Sequence, residues 1–134
     1  MIEIDIWTYR VASDLGVDVG PDVDLVDYAV EALDGSIGKV DESQYGVGSS
    51  WIVVDTGPWF WSKKVLLPAG VIDRIDPEEK KVYVHRTKDE IKNAPHYDVP
   101  DYDRSWIDKR YLRDVGGYYG PSGAGWRDWD QTNL

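Results

Sequence analysis

The sequence predicts a mainly β protein: a small barrel of about six short strands, with an N-terminal arm and a C-terminal helical extension. Three observations point there. Short runs rich in β-branched and aromatic residues follow one another from residue 28 to residue 85. Gly, Pro and Asp turn signals interrupt them roughly every ten residues. Beyond Thr87 the apolar spacing changes from a strand-like period to a helical one. Three segments follow: an arm over 1–27, the barrel over 28–94, and, over 95–134, a linker, an amphipathic helix and a Gly/Trp-rich tail.

In the arm, Ile2, Ile4 and Ile6 alternate with Glu3 and Asp5 in a strand-like pattern, and Gly16, Gly20 and Pro21 among aspartates read as a loop. Residues 28–33 and 36–41 form paired strands around Asp34-Gly35, a dipeptide suited to a tight primed turn because both central residues there need positive φ. Residues 51–55 have the look of a buried strand. Residues 59–67 form another, stopped by Pro68-Ala69-Gly70. Residues 71–75 and 81–85 flank the turn Asp76-Pro77-Glu78-Glu79. Closure of such a sheet removes exposed edges, so a barrel is expected. Thr87 and Glu90 have the spacing of a capping box, and Pro95 keeps the helix they open short. Residues 96–103, with Pro100 and three acids, read as an extended linker. Trp106, Ile107, Tyr111, Leu112 and Val115 recur at helical spacing, with Gly116-Gly117 expected to end that helix and leave a flexible tail.

Together, and in this order, Val30-Glu31-Ala32-Leu33-Asp34-Gly35-Ser36-Ile37-Gly38-Lys39-Val40, Val53-Val54-Asp55-Thr56-Gly57, Lys64-Val65-Leu66-Leu67-Pro68-Ala69-Gly70 and Val71-Ile72-Asp73-Arg74-Ile75-Asp76 resemble the PRC-barrel domain. Arg86-Thr87-Lys88-Asp89-Glu90-Ile91-Lys92 resembles that family's closing strand-to-helix segment. The resemblance covers about half the chain, residues 28–93, and the flanks at 5–10 and 112–120 are similar to those of stand-alone bacterial members, such as actinobacterial ones. It implies a non-catalytic adaptor barrel. In the photosynthetic reaction-centre H subunit such a barrel caps a membrane complex, and in a ribosome maturation factor a similar one grips a ribosomal protein. This chain carries neither a transmembrane helix nor the maturation factor's N-terminal companion domain, and the family supplies no catalytic residue to match.

Composition narrows the partners. Of 134 residues, 25 are Asp or Glu and 15 Lys or Arg, a formal charge of −10, which disfavours nucleic-acid phosphates and an anionic membrane surface. The absence of cysteine excludes disulfides, thiolate metal sites and Cys nucleophiles. Glu3 and Asp5 fall where a signal peptide would carry positive charge, and no apolar run is long enough to span a bilayer, so a cytoplasmic protein with no membrane insertion is expected.

Seven Trp and nine Tyr against one Phe suit contact surfaces as well as cores. Trp59 and Trp61 share one strand face and Phe60 takes the other, so one aromatic face must look outward from a barrel with a single interior. Trp7, Tyr9, Trp106, Tyr111, Tyr118 and Tyr119 raise the same question in the flanks. These nine residues are the candidate interface. Either the flanks cover it or a partner does, and a homo-oligomer is expected because a small domain gains from added burial. A glycan site on the same rings fits poorly with a chain lacking an export signal.

No catalytic residue, cofactor or metal is expected. Asp98, Asp101 and Asp103 lack the central Gly and distant Glu of a calcium loop and read as a solvated linker. His85 and His96 are too few for zinc, and Ser49, Ser50 and Thr56 sit in turns where hydroxyls bond backbone. The glycines at 35, 38, 57 and 70 open into no helix N-terminus that would cradle a phosphate. The competing expectation is a small metal-dependent or hydrolytic enzyme that uses His85 or His96 with nearby carboxylates.

Overall fold

The structure, a computed structural model, describes residues 6–10, 12–20, 22–46, 48–57, 64–95, 107–121 and 123–126. Among the described residues there are six strands: β1 (Ala29–Ala32), β2 (Gly35–Gln44), β3 (Trp51–Asp55), β4 (Lys64–Pro68), β5 (Ile72–Asp76) and β6 (Lys81–Val84). Three helices accompany them: α1 (Ala12–Leu15), α2 (Lys88–Lys92) and α3 (Lys109–Tyr119). The strands make one mixed sheet in the order β4-β3-β2-β1-β6-β5. All neighbours are antiparallel except β1 and β6, which are parallel, Val30 lying opposite Val82.

The expected hydrogen-bonded closure is not there. The sheet ends at β4 and β5, and no ladder joins them among the described residues. These two end strands are nevertheless consecutive in the chain, linked only by the 3-10 turn Ala69–Val71. The sheet therefore has to curl until its ends meet at that turn, which joins them end to end instead of side by side. Each end strand has a helix against it, α3 on β4 and α1 on β5, one of the ways proteins cover an edge.

The first hairpin also differs from expectation. Ala32 pairs with Gly35, so the turn residues are Leu33 and Asp34, neither with positive φ, and Gly35 takes φ 139° as the first residue of β2. The Asp34 carboxylate is engaged instead in accepting the Lys88 N–H at the start of α2 (2.8 Å). Farther along β2, Gly38 has φ 142°, and a Cβ there would lie 1.9 Å from the Asp55 carbonyl oxygen. Only glycine permits β2 to pass so close to β3. A register shift between Val40 and Glu42 then lets β2 continue to Gln44, three residues past the expected end.

Thr87 caps α2 as its spacing predicts: its hydroxyl accepts the Glu90 N–H (3.1 Å) and the Glu90 carboxylate accepts the Thr87 N–H (2.9 Å). The helix α3 does not stop at Gly116-Gly117 but runs through both to Tyr119. Its buried face (Tyr111, Val115 and Tyr119, spaced four apart) holds it on the core, and tertiary packing outweighs the poor propensity of two glycines. Nor is the segment after it flexible as far as Trp126. Gly123 N–H donates to Gly120 O (2.9 Å), Gly125 N–H to Tyr118 O (2.9 Å) and Trp126 N–H to Gly123 O (3.3 Å). The loop expected in the arm is found over residues 16–20, directly after α1, while Ile2 and Ile4, and the first part of the strand expected over 59–67, lie outside the described residues.

One hydrophobic cluster runs through all of this. Ile6, Leu15 and Leu25 of the arm and Tyr111, Val115 and Tyr119 of α3 join the strand residues in it. Trp51, Ile52, Val53 and Val54 of β3 are buried on both faces of the sheet.

Candidate interaction surface

The arm enters the fold through its backbone. Ser50 N–H donates to Trp7 O (2.8 Å) and Gly70 N–H to Ile6 O (2.7 Å), so residues 6 and 7 stitch the start of β3 to the turn between β4 and β5. A Cβ on Gly70 would lie 2.6 Å from Ile6 O, and one on Gly116 would lie 2.9 Å from the Trp7 indole nitrogen. The arm and α3 therefore interlock, with Trp7 set against the glycine in the helix wall. Trp7 and Tyr9 remain partly exposed while packed on the core. Burial pushes the Tyr9 phenol up to about 12, since its anion would be formed away from water.

Polar bonds fasten α3 from the other side. Asp108 caps it, its carboxylate accepting the Tyr111 N–H (2.8 Å). Tyr111 OH donates to Pro95 O (3.2 Å) and Tyr118 OH to Glu90 O (2.7 Å), tying α3 to α2 and to the residue that ends it. Burial raises the Tyr118 phenol, the Glu90 carboxylate raises it further, and Arg86 pulls the other way. The Tyr119 phenol is raised well above its ordinary value, chiefly by complete burial. Its ring meets that of Tyr118 edge to face, with centroids 4.9 Å apart.

At the centre of this joint is Arg86, fully buried. Its Nε donates to Gly125 O (2.7 Å), its Nη1 to His85 O (2.7 Å), and its guanidinium lies 5.6 Å from the Tyr119 ring centroid. A buried cation held by carbonyls and an aromatic face fixes the chain after Tyr119 to the end of β6. Sequence reasoning did not single out Arg86, although a signal was present. The period-two alternation of β6 buries Val82 and Val84, and carried two residues further it turns residue 86 inward.

Of the nine candidate interface residues, Trp59, Phe60, Trp61 and Trp106 lie outside the described residues. The structure brings the other five to one side of the molecule only in part. Trp7, Tyr9 and Tyr118 keep partly exposed surfaces, whereas Tyr111 and Tyr119 are fully enclosed by their own chain and have no ring face left for a partner. Leu112 on α3, Ile107 just before it and Trp126 after it are also partly buried apolar residues packed on the core.

Of the two histidines of the enzyme reading, only His85 is among the described residues. His85 is half-buried at the end of β6, its backbone N–H donating to Val71 O (2.9 Å), and His96, Asp98, Asp101 and Asp103 lie outside the described residues. Ser50 Oγ donates to Gly46 O (2.8 Å) and accepts Gly46 N–H (3.1 Å), the backbone role expected of it. Among the described residues no group of three or more His, Asp or Glu side chains is placed to hold a metal ion. The described residues line open depressions on the surface. One of about 290 Å³ is lined by Asp27, Asp41, Asp55 and Lys39, and one of about 250 Å³ lies between the arm and the β2–β3 loop, lined by Tyr9, Arg10, Asp18 and Tyr45. No described helix is long and apolar enough to cross a membrane.

The fold is thus a curled six-stranded sheet with both end strands covered by helices. No family model matches the chain, and no curated protein does. Among solved structures fourteen chains match. One is RimM from Pseudomonas aeruginosa, described as a 16S ribosomal RNA processing protein, with 18% sequence identity and a TM-score of 0.42. That alignment covers 52% of this chain and 46% of RimM.

Proposed function

We propose that this chain is a PRC-barrel-like, non-catalytic module of the cytoplasm that works by protein–protein assembly, chiefly with copies of itself. The observation that carries the reading is the set of half-buried apolar side chains on the arm, on α3 and in the segments either side of that helix: Trp7, Tyr9, Ile107, Leu112, Tyr118 and Trp126. Each is anchored on the core and keeps part of its surface exposed. Rigid, amphipathic rings of this kind make contact area at low entropic cost. The sequence adds Trp59, Phe60, Trp61 and Trp106 to the aromatic supply. The PRC-barrel part of the reading rests on the order and spacing of the motifs between residues 28 and 93, whose strands fall where those motifs lie.

The test is the mass of the full chain in solution, measured by light scattering over a wide concentration range. Association weakened by Trp59→Ala with Trp61→Ala, in a protein that still unfolds cooperatively, is the expected result. A monomer of 15.3 kDa at every concentration overturns the assembly reading.

A further inference from the structure

The outer face of α3 carries a set of residues that the fold itself does not need. Lys109, Arg110 and Arg113 are exposed there, with Asp114 on the same face and the capping Asp108 before them, and none of the three cations makes an ion pair or side-chain hydrogen bond among the described residues. Lys109 and Arg110 occupy the first turn, at the positive end of the helix dipole, where cations are disfavoured. Gly117 lies on the same side, four residues after Arg113. Its neighbour Gly116 has an internal reason to be glycine, the Trp7 indole against it, but a Cβ on Gly117 would meet nothing within 4 Å. An exposed glycine inside a helix lowers its stability and gains nothing from the packing. Three local choices that each oppose helix formation therefore coincide on one exposed face. Such coincidences mark surfaces shaped by something outside the monomer.

We propose that this basic face, flattened at Gly117, docks the acidic surface of a second copy of the chain, a step that rests on the self-association proposed above. Charge complementarity selects the occupant. The chain as a whole is −10, so the helix face is a cationic island on an acidic molecule, and another copy presents its complement. At physiological ionic strength the repulsion between two acidic molecules is screened beyond about 8 Å, while charges in direct contact keep their attraction. Gly117 lets the partner's backbone come close to the helix.

The experiment compares the dissociation constant of the full chain at physiological salt with those of Arg110→Glu/Arg113→Glu and Gly117→Gln, each checked for an unfolding midpoint no lower than wild type. Weakening of tenfold or more in both variants is expected. Wild-type association that neither variant changes overturns this docking face while leaving the assembly reading standing. A wild type that stays monomeric overturns both. A monomer that instead binds a polyglutamate peptide or a single-stranded RNA through Arg110 and Arg113 replaces the second copy with another occupant and overturns the assignment.

Discussion

Tyr111 and Tyr119 are both fully buried on α3, yet the loss of one hydroxyl should have opposite effects at the two positions. Tyr111 OH donates to Pro95 O, whereas Tyr119 OH is buried with no hydrogen-bond partner. A buried hydroxyl without a partner costs about 1–3 kcal/mol, and a made hydrogen bond contributes about 0.5–1.5 kcal/mol. Tyr119→Phe keeps the ring, its edge-to-face packing on Tyr118 and its position beside Arg86, and removes only the unsatisfied group. It should therefore stabilise the fold by about 1–3 kcal/mol, less a small term for the volume removed. Unfolding entropy near 2.1 cal/mol/K per residue over 134 residues gives about 0.28 kcal/mol/K, so the midpoint should rise by roughly 4–10 °C. Tyr111→Phe should lower stability by about 1 kcal/mol. Thermal and urea denaturation of the two variants beside wild type checks both signs. A lower midpoint for Tyr119→Phe refutes the reasoning, since it means the hydroxyl has a partner in the folded protein.

Lys80 holds φ 54° at the end of the Asp76–Lys80 turn, a left-handed conformation that costs a side-chain-bearing residue roughly 1–2 kcal/mol. Lys80→Gly should thus raise stability by about 0.5–1 kcal/mol in urea denaturation, glycine's greater freedom in the unfolded chain offsetting part of the relief. Gly116→Ala should do the reverse, because its methyl displaces Trp7; the midpoint should drop and Trp fluorescence should shift as the indole is exposed. Stability should also fall at alkaline pH. The native phenols of Tyr9, Tyr118 and Tyr119 lie above the unfolded value of 10.0, so the stability that goes with their neutral forms is complete below pH 10 and is lost as pH rises through the folded values, to about 12 for Tyr9. Denaturation midpoints unchanged between pH 10 and pH 12 would contradict this, and Tyr119→Phe should show a shallower decline than wild type.

Much of the fold was legible because its signals are local. The β-branched run at 51–55, the stop at Pro68-Ala69-Gly70 and the Thr87–Glu90 capping box each specify their element within a few residues, and each element is found there. What escaped depends on contacts distant in sequence. The glycines at 116 and 117 read as a helix end because propensity is local, while the Trp7 indole that requires Gly116 comes from more than a hundred residues away. Closure was expected from the wish to remove edges, but α1 and α3 cover the end strands instead. The candidate surface was legible as a set of rings, and its division into enclosed and exposed rings was not. Tyr111 and Tyr119 face inward because they share a helix stripe with Val115, whereas Tyr118, one residue from Tyr119, falls between that stripe and solvent.

The division into arm, barrel and extension describes the sequence better than it describes the folded unit. Ser50 and Gly70 N–H groups find their acceptors in the arm, Arg86 finds one in Gly125, and the buried faces of β3 belong to a cluster that includes Ile6 and Tyr119. A fragment restricted to residues 28–94 would lose two backbone hydrogen bonds, each about 0.5–1.5 kcal/mol, and one from the charged guanidinium, about 1.5–3 kcal/mol, against a total stability of only about 5–15 kcal/mol. It would also expose the apolar surface now under α3. Such a fragment should be unfolded or aggregate where the chain from Ile6 to Trp126 folds. On these contacts the smallest cooperative unit is expected to run from Ile6 to Trp126, and a partner that docks on the arm or on α3 should change the stability of the sheet beneath.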